Sequence, residues 1–190
     1  YGIFAEISGL SRSFITRFTF EKKGDAHLII QPNSDEGQGF IEIDTEKQEV
    51  RGYNPVHRIY QGWGQSAGFS GYFVVKFSKP FTAYGTVNDS TAYEGKATMA
   101  NEPFVGAYIT FPVEADEQLT STIGVSFTSI DGARANLEKE MNHFAFDQVV
   151  AQSESVWEKE LSKVSIKTDN EADKQIFYTA MYHNSLVPRI

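Results

Sequence analysis

Cysteine is absent from this 190-residue sequence, so the chain holds no disulfide bond and no thiolate-ligated metal site. Long apolar runs are also absent, since none approaches the roughly 18 consecutive residues of a membrane-spanning helix. Lysine and arginine do not cluster, and the formal net charge is −8. Because phosphate recognition needs clustered positive charge, we expect neither a nucleic-acid partner nor a membrane span.

Aromatic residues are plentiful, with 15 Phe and 9 Tyr, and apolar residues alternate with polar ones over the first two thirds of the chain. Such alternation is typical of half-buried β-strands. In the stretch from residue 119 to residue 128, for example, Ile123, Val125 and Phe127 share one face. The pattern predicts strands over residues 1–8, 14–20, 26–31, 40–44, 49–53, 73–77, 81–87, 105–113 and 119–128. With no helix between them, we expect an antiparallel β-sandwich over residues 1–130, truncated at its start because Tyr1 already lies in a strand pattern.

The hydrophobic period changes from two to helical at Asp131, which predicts linker helices within residues 131–167. From Phe146 to Leu161 the apolar residues repeat at helical spacing with charged residues opposite, so this helix should pack by one face. Trp157 is its largest apolar side chain. Residues 164–167 could add one edge strand.

The final stretch predicts a helix from Thr168 to Val187 that Pro188 ends. Thr168 and Glu171 have the spacing of a capping box, and a proline ends a helix. Apolar side chains lie around most of the circumference, so the helix must be covered on several sides. We therefore expect residues 168–190 to begin a second domain.

The segment from Gly52 to Gly71 predicts an irregular loop, because glycines alternate with aromatic residues there. Sugars are bound by flat aromatic faces together with planar hydrogen-bonding groups. The loop supplies both kinds of group, and its candidate substrate-binding residues are Trp63, His57, Arg58 and Tyr60, with Asn54 beside them. The alternative is a structural loop whose aromatic residues plug the end of the sandwich or an interdomain seam.

Three stretches carry a family resemblance in the same order along the chain. Phe177–His183, followed by Pro188, resembles the first helix of the catalytic barrel in glycoside hydrolase family 92, the calcium-dependent exo-acting α-mannosidases. Ser129–Glu140 resembles the join between that family's sandwich and its linker helices, and Trp157–Leu161 resembles the end of the linker. Tyr53–Gly62 fits more loosely. The resemblance covers nearly the whole chain but only a middle slice of a longer family member.

The resemblance implies a galactose-mutarotase-like supersandwich followed by linker helices and the first helix of an (α/α)6 barrel. It implies an inverting exo-α-mannosidase that releases mannose from N-glycans or mannans. It also implies a calcium cofactor and a secreted, periplasmic or cell-surface location in a bacterium. The catalytic carboxylates and calcium ligands would lie outside this chain, which would pack on its own missing catalytic domain.

The acidic residues and histidines agree with a chain that has no catalytic or metal site of its own. Inverting hydrolysis needs two carboxyl groups roughly 6.5–9.5 Å apart. The two acidic pairs that stand out are Glu138 with Glu140 and Asp35 with Glu36. Solvated charges on a helix and on a turn are a simpler interpretation of them than a catalytic acid and base. The four histidines are too scattered for a zinc motif, and His183 either lines the barrel or binds a carbonyl at the helix end.

Two alternatives to a piece of an enzyme remain open. The chain could be a non-catalytic carbohydrate-binding β-sandwich whose loop around Trp63 grips glycan. It could also be a structural interaction domain that uses only the faces of the sandwich. A helix with apolar residues all round favours the enzyme, because a stand-alone lectin has no use for it.

Overall fold

A computed structural model describes residues 2–32, 37–57, 65–141, 143 and 145–186. The chain divides into two compact units, residues 1–149 and residues 150–190. No helix among the described residues is both long enough and apolar enough to cross a membrane.

The first unit is built from eleven described β-strands in two antiparallel sheets, as the alternation predicted. The strands are β1 Ile3–Gly9, β2 Ser13–Phe20, β3 Gly24–Ile30, β4 Phe40–Asp44, β5 Glu49–His57, β6 Ser66–Phe77, β7 Ala83–Val87, β8 Ala92–Glu94, β9 Thr98–Ala100, β10 Gly106–Val113 and β11 Gln118–Ser126. One sheet has the order β1-β2-β11-β6-β5-β4-β9 and the other has the order β3-β10-β7-β8. The predicted mainly β fold is confirmed, and residues 2–32, 37–57 and 65–128 contain no helix.

The core lies between the two sheets and follows the period-two alternation. Phe77, Phe81 and Phe111 meet there with ring centroids 5.2–6.4 Å apart. The aliphatic residues packed with them come from both sheets and include Ile41, Ile43, Val50, Val75, Val105, Ile109, Val113, Leu119 and Ile123. Alternate residues of the same strands therefore face outward, where they are free to contact helices.

The strand boundaries differ from the prediction in three places. The segment from Gly52 to Gly71 is not an irregular loop throughout, because β5 continues to His57 and β6 begins at Ser66. The two strands pair here, for example at Tyr53 and Tyr72. The prediction relied on alternating apolar side chains, but strands pair through backbone hydrogen bonds and do not need them. β8 and β9 were missed because three residues are too few to show alternation. β11 ends at Ser126, so Phe127 is outside the sheet and not on its core face.

Helix α1, Ile130–Glu140, packs on the outer face of the seven-stranded sheet. Ser129 caps it by accepting a hydrogen bond from Gly132 N. A Cβ atom added to Gly124 of β11 would lie 2.4 Å from the Ala133 carbonyl oxygen. The close approach of helix and strand therefore requires glycine at that position. At the other end of α1, Glu140 Oε2 accepts hydrogen bonds from Arg12 N at 3.0 Å and Ser13 Oγ at 2.6 Å.

Helix α2, Phe146–Leu161, begins in the first unit, where Arg17 of β2 holds its first turn. The Arg17 guanidinium lies 4.2 Å from the centroid of the Phe146 ring and donates to Asp147 Oδ1 at 2.9 Å. The same guanidinium makes a two-point pair with Glu6, and this pair raises the pKa of Arg17 above its ordinary value. The predicted start of this helix at Phe146 is confirmed.

The second unit contains the rest of α2 and helix α3, Glu171–Ser185. The rings of Trp157 of α2 and Tyr182 of α3 are tilted by 60° with their centroids 4.7 Å apart, and the Tyr178 hydroxyl donates to the Val164 carbonyl. No described residue of α3 is buried, although apolar side chains lie on several of its sides, as expected for a helix that needs a further covering.

Two details of the second unit correct the prediction. The cap of α3 is Asn170, whose Oδ1 accepts from Ala172 N, while Thr168 Oγ1 accepts from Asn170 N. The capping box is therefore wrong, because a nearer side chain reaches the free amide first. Residues 164–167 form no strand, since no described strand lies beside them to pair. Pro188 lies outside the described residues.

Candidate functional site

One end of the sandwich collects several connections, and we call it the loop end. It comprises the β1–β2 turn, residues 31–32 and 37–39 after β3, residues 88–91 and 101–105, and the end of β11. Hydrogen bonds join these segments: Val125 N to Arg12 O, Asp89 N to Pro103 O and Asn101 N to Gly39 O. Phe40 of β4 pairs with Tyr53, so the rest of β5, up to His57, projects beyond β4 at this end. Binding residues are often found on such loop clusters, which a rigid sheet holds in place.

The predicted substrate-binding residues belong to the connection between β5 and β6. His57 ends β5, and its Nε2 lies 3.3 Å from Gln38 Oε1, which can only accept, so this hydrogen bond uses the tautomer that carries a proton on Nε2. Arg58, Tyr60 and Trp63 lie outside the described residues. The structure therefore places His57 at the loop end and leaves the grouping of the four residues a prediction.

A cleft of about 910 Å³ opens at the loop end between strand ends and α1. Its walls carry the aromatic rings of Tyr72, Phe73 and Phe127 beside the polar side chains of Asn54 and Asn136. The remaining lining residues are Ser11, Arg12, Pro32, Gly71, Val125, Ser126, Thr128, Gly132 and Ala135. This combination of flat apolar faces with amides suits a sugar ring and its hydroxyl groups. His57 is not among the residues that line it.

Phe127 is the cleft residue that sequence reasoning misplaced. The alternation placed it in a strand, on one face with Ile123 and Val125, but it lies beyond the end of β11, its side chain is 70% exposed, and its ring meets the Phe69 ring edge to face at 5.4 Å. Tyr72 also continues a row of outward-facing rings, in which Phe40 stacks on Tyr53 at 5.4 Å and Tyr53 meets Tyr72 at 5.7 Å. Only the pairing of β4, β5 and β6 brings these rings together, so local spacing carried no signal for them.

A second cluster, on the outer face of β4 and β5, contains three carboxylates around two arginines. Arg51 makes a two-point pair with Glu42 at 2.8 and 2.9 Å and reaches Asp44 and Glu49 at 3.1 Å each. Arg134 of α1 donates to the same Glu49 oxygen. Every carboxylate in this cluster therefore has an arginine partner, and the arrangement is a structural ion network.

The electrostatics of this cluster favour the charged forms of Arg51 and Asp44. Hydrogen bonds to Glu42 raise the pKa of Arg51 above its ordinary value. The backbone amide of Lys47 donates to Asp44, and this hydrogen bond, assisted by Arg51, holds the pKa of the Asp44 carboxyl below its usual range. A carboxylic acid that remains ionised and paired is a poor general acid.

The other acidic pairs considered from the sequence show no catalytic geometry. Glu140 is occupied by Arg12 N and Ser13 Oγ, and Glu138 Oε1 lies 3.7 Å from Lys76 Nζ. Asp35 and Glu36 lie outside the described residues, and the ring of His183 is exposed beside Tyr182. Within the part of the chain that is described, no three histidine or acidic side chains come together as metal ligands.

Comparison with known families matches almost the whole sequence. A sequence model described as the glycosyl hydrolase family 92 N-terminal domain matches residues 1–126, and one described as the glycosyl hydrolase family 92 catalytic domain matches residues 132–190. No curated protein sequence matches the chain.

Solved structures of the same family superpose over nearly the full length. The family GH92 inverting mannosidase BT2199 from Bacteroides thetaiotaomicron VPI-5482 shares 27% identity at a TM-score of 0.87, over 98% of this chain and 24% of that chain. The family GH92 α-mannosidase BT3965 from Bacteroides thetaiotaomicron shares 29% identity at a TM-score of 0.82, over 96% of this chain and 25% of that chain. This chain thus spans about a quarter of the length of these relatives.

Proposed function

Because the chain belongs to glycoside hydrolase family 92, we propose that it works as part of an inverting, exo-acting α-mannosidase that releases mannose from N-glycans or mannans. One observation carries the proposal: the two domain matches follow one another in a chain of which 98% superposes on an inverting mannosidase. The sandwich would be the N-terminal domain over residues 1–130. Residues 131–167 would be linker helices, and residues 168–190 would begin the (α/α)6 catalytic domain.

The catalytic groups of the proposed enzyme lie in the remainder of the longer protein. Glu49, Glu138 and Glu140 are held in structural pairs, so they are unsuited to act as acid and base across a sugar ring. The exposed apolar residues Ile176 and Tyr182 of α3, with Leu186 at its C-cap, suit a helix covered by the rest of the catalytic domain on which this chain packs.

Calcium is proposed as the cofactor, with ligands outside this chain. Calcium binds through several oxygen ligands, and the described residues bring together no group that fits it. Polymeric mannans and protein-linked N-glycans are too large and polar to cross a membrane unaided. We therefore propose that the protein acts outside the bacterial cytoplasm, in the periplasm, at the cell surface or in the medium.

The reaction can be tested on a longer family 92 protein that contains these residues. We expect it to hydrolyse an aryl α-mannoside and to release β-mannose first, because inversion exchanges the anomeric configuration. Proton NMR of the earliest product reports the anomer, and a calcium chelator should abolish turnover reversibly. The 190-residue chain alone should show no turnover. Early release of α-mannose, or turnover by the short chain that depends on one of its own acidic residues, would contradict the proposal.

The β5–β6 connection is proposed to contact the substrate through His57, Arg58, Tyr60 and Trp63. Replacing Trp63 by alanine in the longer protein should raise KM about tenfold with an unchanged melting temperature, since one sugar–aromatic contact is worth about 1.4 kcal/mol. Tyr93→Ala, which removes a partly exposed aromatic ring on β8, should leave KM unchanged. A lower melting temperature with an unchanged KM would identify Trp63 as a structural plug.

A carbohydrate-binding module is the second candidate, and the cleft with Tyr72, Phe127 and Asn54 is the observation that favours it. Two results together would support the module over the enzyme. The short chain would bind glycan and lose this binding in Phe127→Ala, and the longer protein would show no mannosidase activity.

A further inference from the structure

Phe104, in the connection between β9 and β10, has a left-handed backbone conformation. Its φ is 56°, a value that bulky side chains rarely adopt. Holding a phenylalanine there strains the backbone, whereas glycine adopts the same φ without strain. Phe104 is also 43% exposed, so its ring does not belong to the core of the sandwich. The packing of the core therefore gives no reason for a phenylalanine at this strained position.

Contacts on both sides hold the backbone of Phe104 in this conformation. Its carbonyl oxygen accepts a hydrogen bond from Gln31 Nε2 at 2.7 Å, and the Pro103 carbonyl oxygen accepts one from Asp89 N at 3.1 Å. Val105, the next residue, is fully buried. A strained residue persists where the surrounding structure fixes it from several directions, and such residues are often found at ligand sites. The backbone that carries the exposed ring is therefore fixed.

The loop that carries Phe104 adjoins the β5–β6 connection, which is proposed to bind substrate. A Cβ atom added to Gly37 would lie 3.7 Å from Pro103 N. The residue after Gly37, Gln38, accepts the hydrogen bond from His57 at the end of β5. Phe104 and the start of the β5–β6 connection therefore belong to the same group of contacting loops.

We propose that Phe104 binds the leaving group of the mannoside, by stacking its ring on the C–H groups of the sugar that follows the terminal mannose. The inference rests on the proposed function, because it takes the substrate to be cleaved by an exo-acting α-mannosidase. Such an enzyme encloses the terminal sugar, while the rest of the glycan extends away from the reacting bond. An exposed aromatic ring beside the β5–β6 connection suits the apolar face of a sugar in that extending part.

A ring that only fills a seam between domains fits the observations less well. A seam requires apolar area, and apolar side chains of several shapes and orientations can supply it. A stacking contact on a sugar instead requires the ring at a defined position and angle, held by rigid surroundings. The fixed, strained backbone of Phe104 meets this second requirement.

Kinetics on a longer family 92 protein that contains these residues test the contact. The substrate is the α-mannobiose isomer that this protein cleaves fastest, and methyl α-mannoside serves as a competitive inhibitor that reaches only the terminal-sugar site. Phe104→Gly should raise KM for the mannobiose about tenfold with kcat nearly unchanged, because the contact is the same in the ground state and the transition state. The inhibition constant of methyl α-mannoside should not change. Phe104→Tyr retains the ring and should retain the original KM.

Asp116→Gly is the matched control for the backbone change. Asp116 also has a positive φ, of 61°, and is exposed in the turn between β10 and β11, at the opposite end of the sandwich from the loop end. Its replacement should leave KM unchanged. In Phe104→Gly the melting temperature should stay within about 2 °C of the original, because the relief of strain offsets the lost contacts of a half-exposed ring.

Three results would overturn the inference. The first is an unchanged KM in Phe104→Gly, and a melting temperature about 5 °C lower in the same variant would identify the ring as a cover between domains. The second is an equal rise in KM for the mannobiose and in the inhibition constant of methyl α-mannoside, which would place Phe104 at the terminal sugar. The third is an equal rise in KM in Asp116→Gly.

Calorimetric titration with the mannobiose separates this inference from the proposed function. A longer protein that binds the mannobiose without cleaving it, and binds it about tenfold more weakly in Phe104→Gly, would support the sugar contact and contradict the function. A fully active enzyme whose KM does not change in Phe104→Gly would overturn the inference alone. A longer protein that neither binds nor cleaves the mannobiose would overturn both.

Discussion

Replacing Glu49 by glutamine is expected to destabilise the sandwich unit by roughly 3–5 kcal/mol, the usual cost of removing one partner from a buried ion pair. Glu49 is only 1% exposed, and its carboxylate joins Arg51 of the sheet to Arg134 of α1. Arg51 would keep Glu42 and Asp44. Arg134 would keep only Asp131 at 4.0 Å, and its Nη1 is already buried without a hydrogen-bond acceptor among the described residues. The loss should therefore act mainly through Arg134 and α1.

Urea denaturation of the 190-residue chain measures this effect. Glu42→Gln is the matched control, because Glu42 also pairs with Arg51 but is 33% exposed, so its loss should cost about 1 kcal/mol or less. Adding Arg134→Leu to Glu49→Gln should recover part of the stability, since it removes the unpaired charge. If Glu49→Gln and Glu42→Gln lowered the free energy of unfolding equally, the buried ion pair between Glu49 and Arg134 would stabilise the unit no more than an exposed pair does.

Gly124→Ala is expected to displace α1 from the sheet and to destabilise the unit by about 3 kcal/mol, the upper end of typical overpacking costs. The new Cβ would lie 2.4 Å from the Ala133 carbonyl oxygen and 2.6 Å from Leu137 Cβ. The first of these is a backbone atom, so relief requires movement of the whole helix. Leu137 is 1% exposed, so this movement would also uncover a buried side chain.

Gly24→Ala provides the control, because nothing lies within 4 Å of a Cβ atom at that position in β3. Its stability should change by less than about 0.5 kcal/mol. Amide exchange in α1 should accelerate in Gly124→Ala and remain unchanged in Gly24→Ala. An unchanged stability of Gly124→Ala, with α1 still protected, would mean that helix and sheet are less closely packed than the structure shows.

Much of the fold was predictable because hydrophobic period is a local property. The alternation in β2 and β10, and the helical spacing from Phe146 to Leu161, placed those elements within a few residues of their observed ends. Errors arose where the local signal was short or ambiguous. β8 and β9 have three residues each, the capping oxygen of Thr168 competed with that of Asn170, and the glycines from 52 to 71 concealed two continuing strands.

The candidate site was less predictable. The sequence drew attention to Trp63, Tyr60, Arg58 and His57 because an aromatic, glycine-rich segment stands out by composition. It gave no signal for the cleft, whose walls come from segments more than a hundred residues apart, such as Arg12 and Asn136. Phe127 illustrates the difficulty, since it continues the alternation of Ile123 and Val125 in the sequence but is exposed in the structure, where β11 ends at Ser126, two residues before the predicted end.

The sequence alone determined most of the longer strands and the helices, the change from sandwich to helices near residue 130, and the family, because periodicity and motifs are written in neighbouring residues. The tertiary structure alone decides that β2 pairs with β11, that Glu49 is buried between Arg51 and Arg134, and that Gly124 admits α1. Each of these features depends on contacts between residues distant along the chain. Such contacts are selected by the packing of the whole core, which local patterns do not encode.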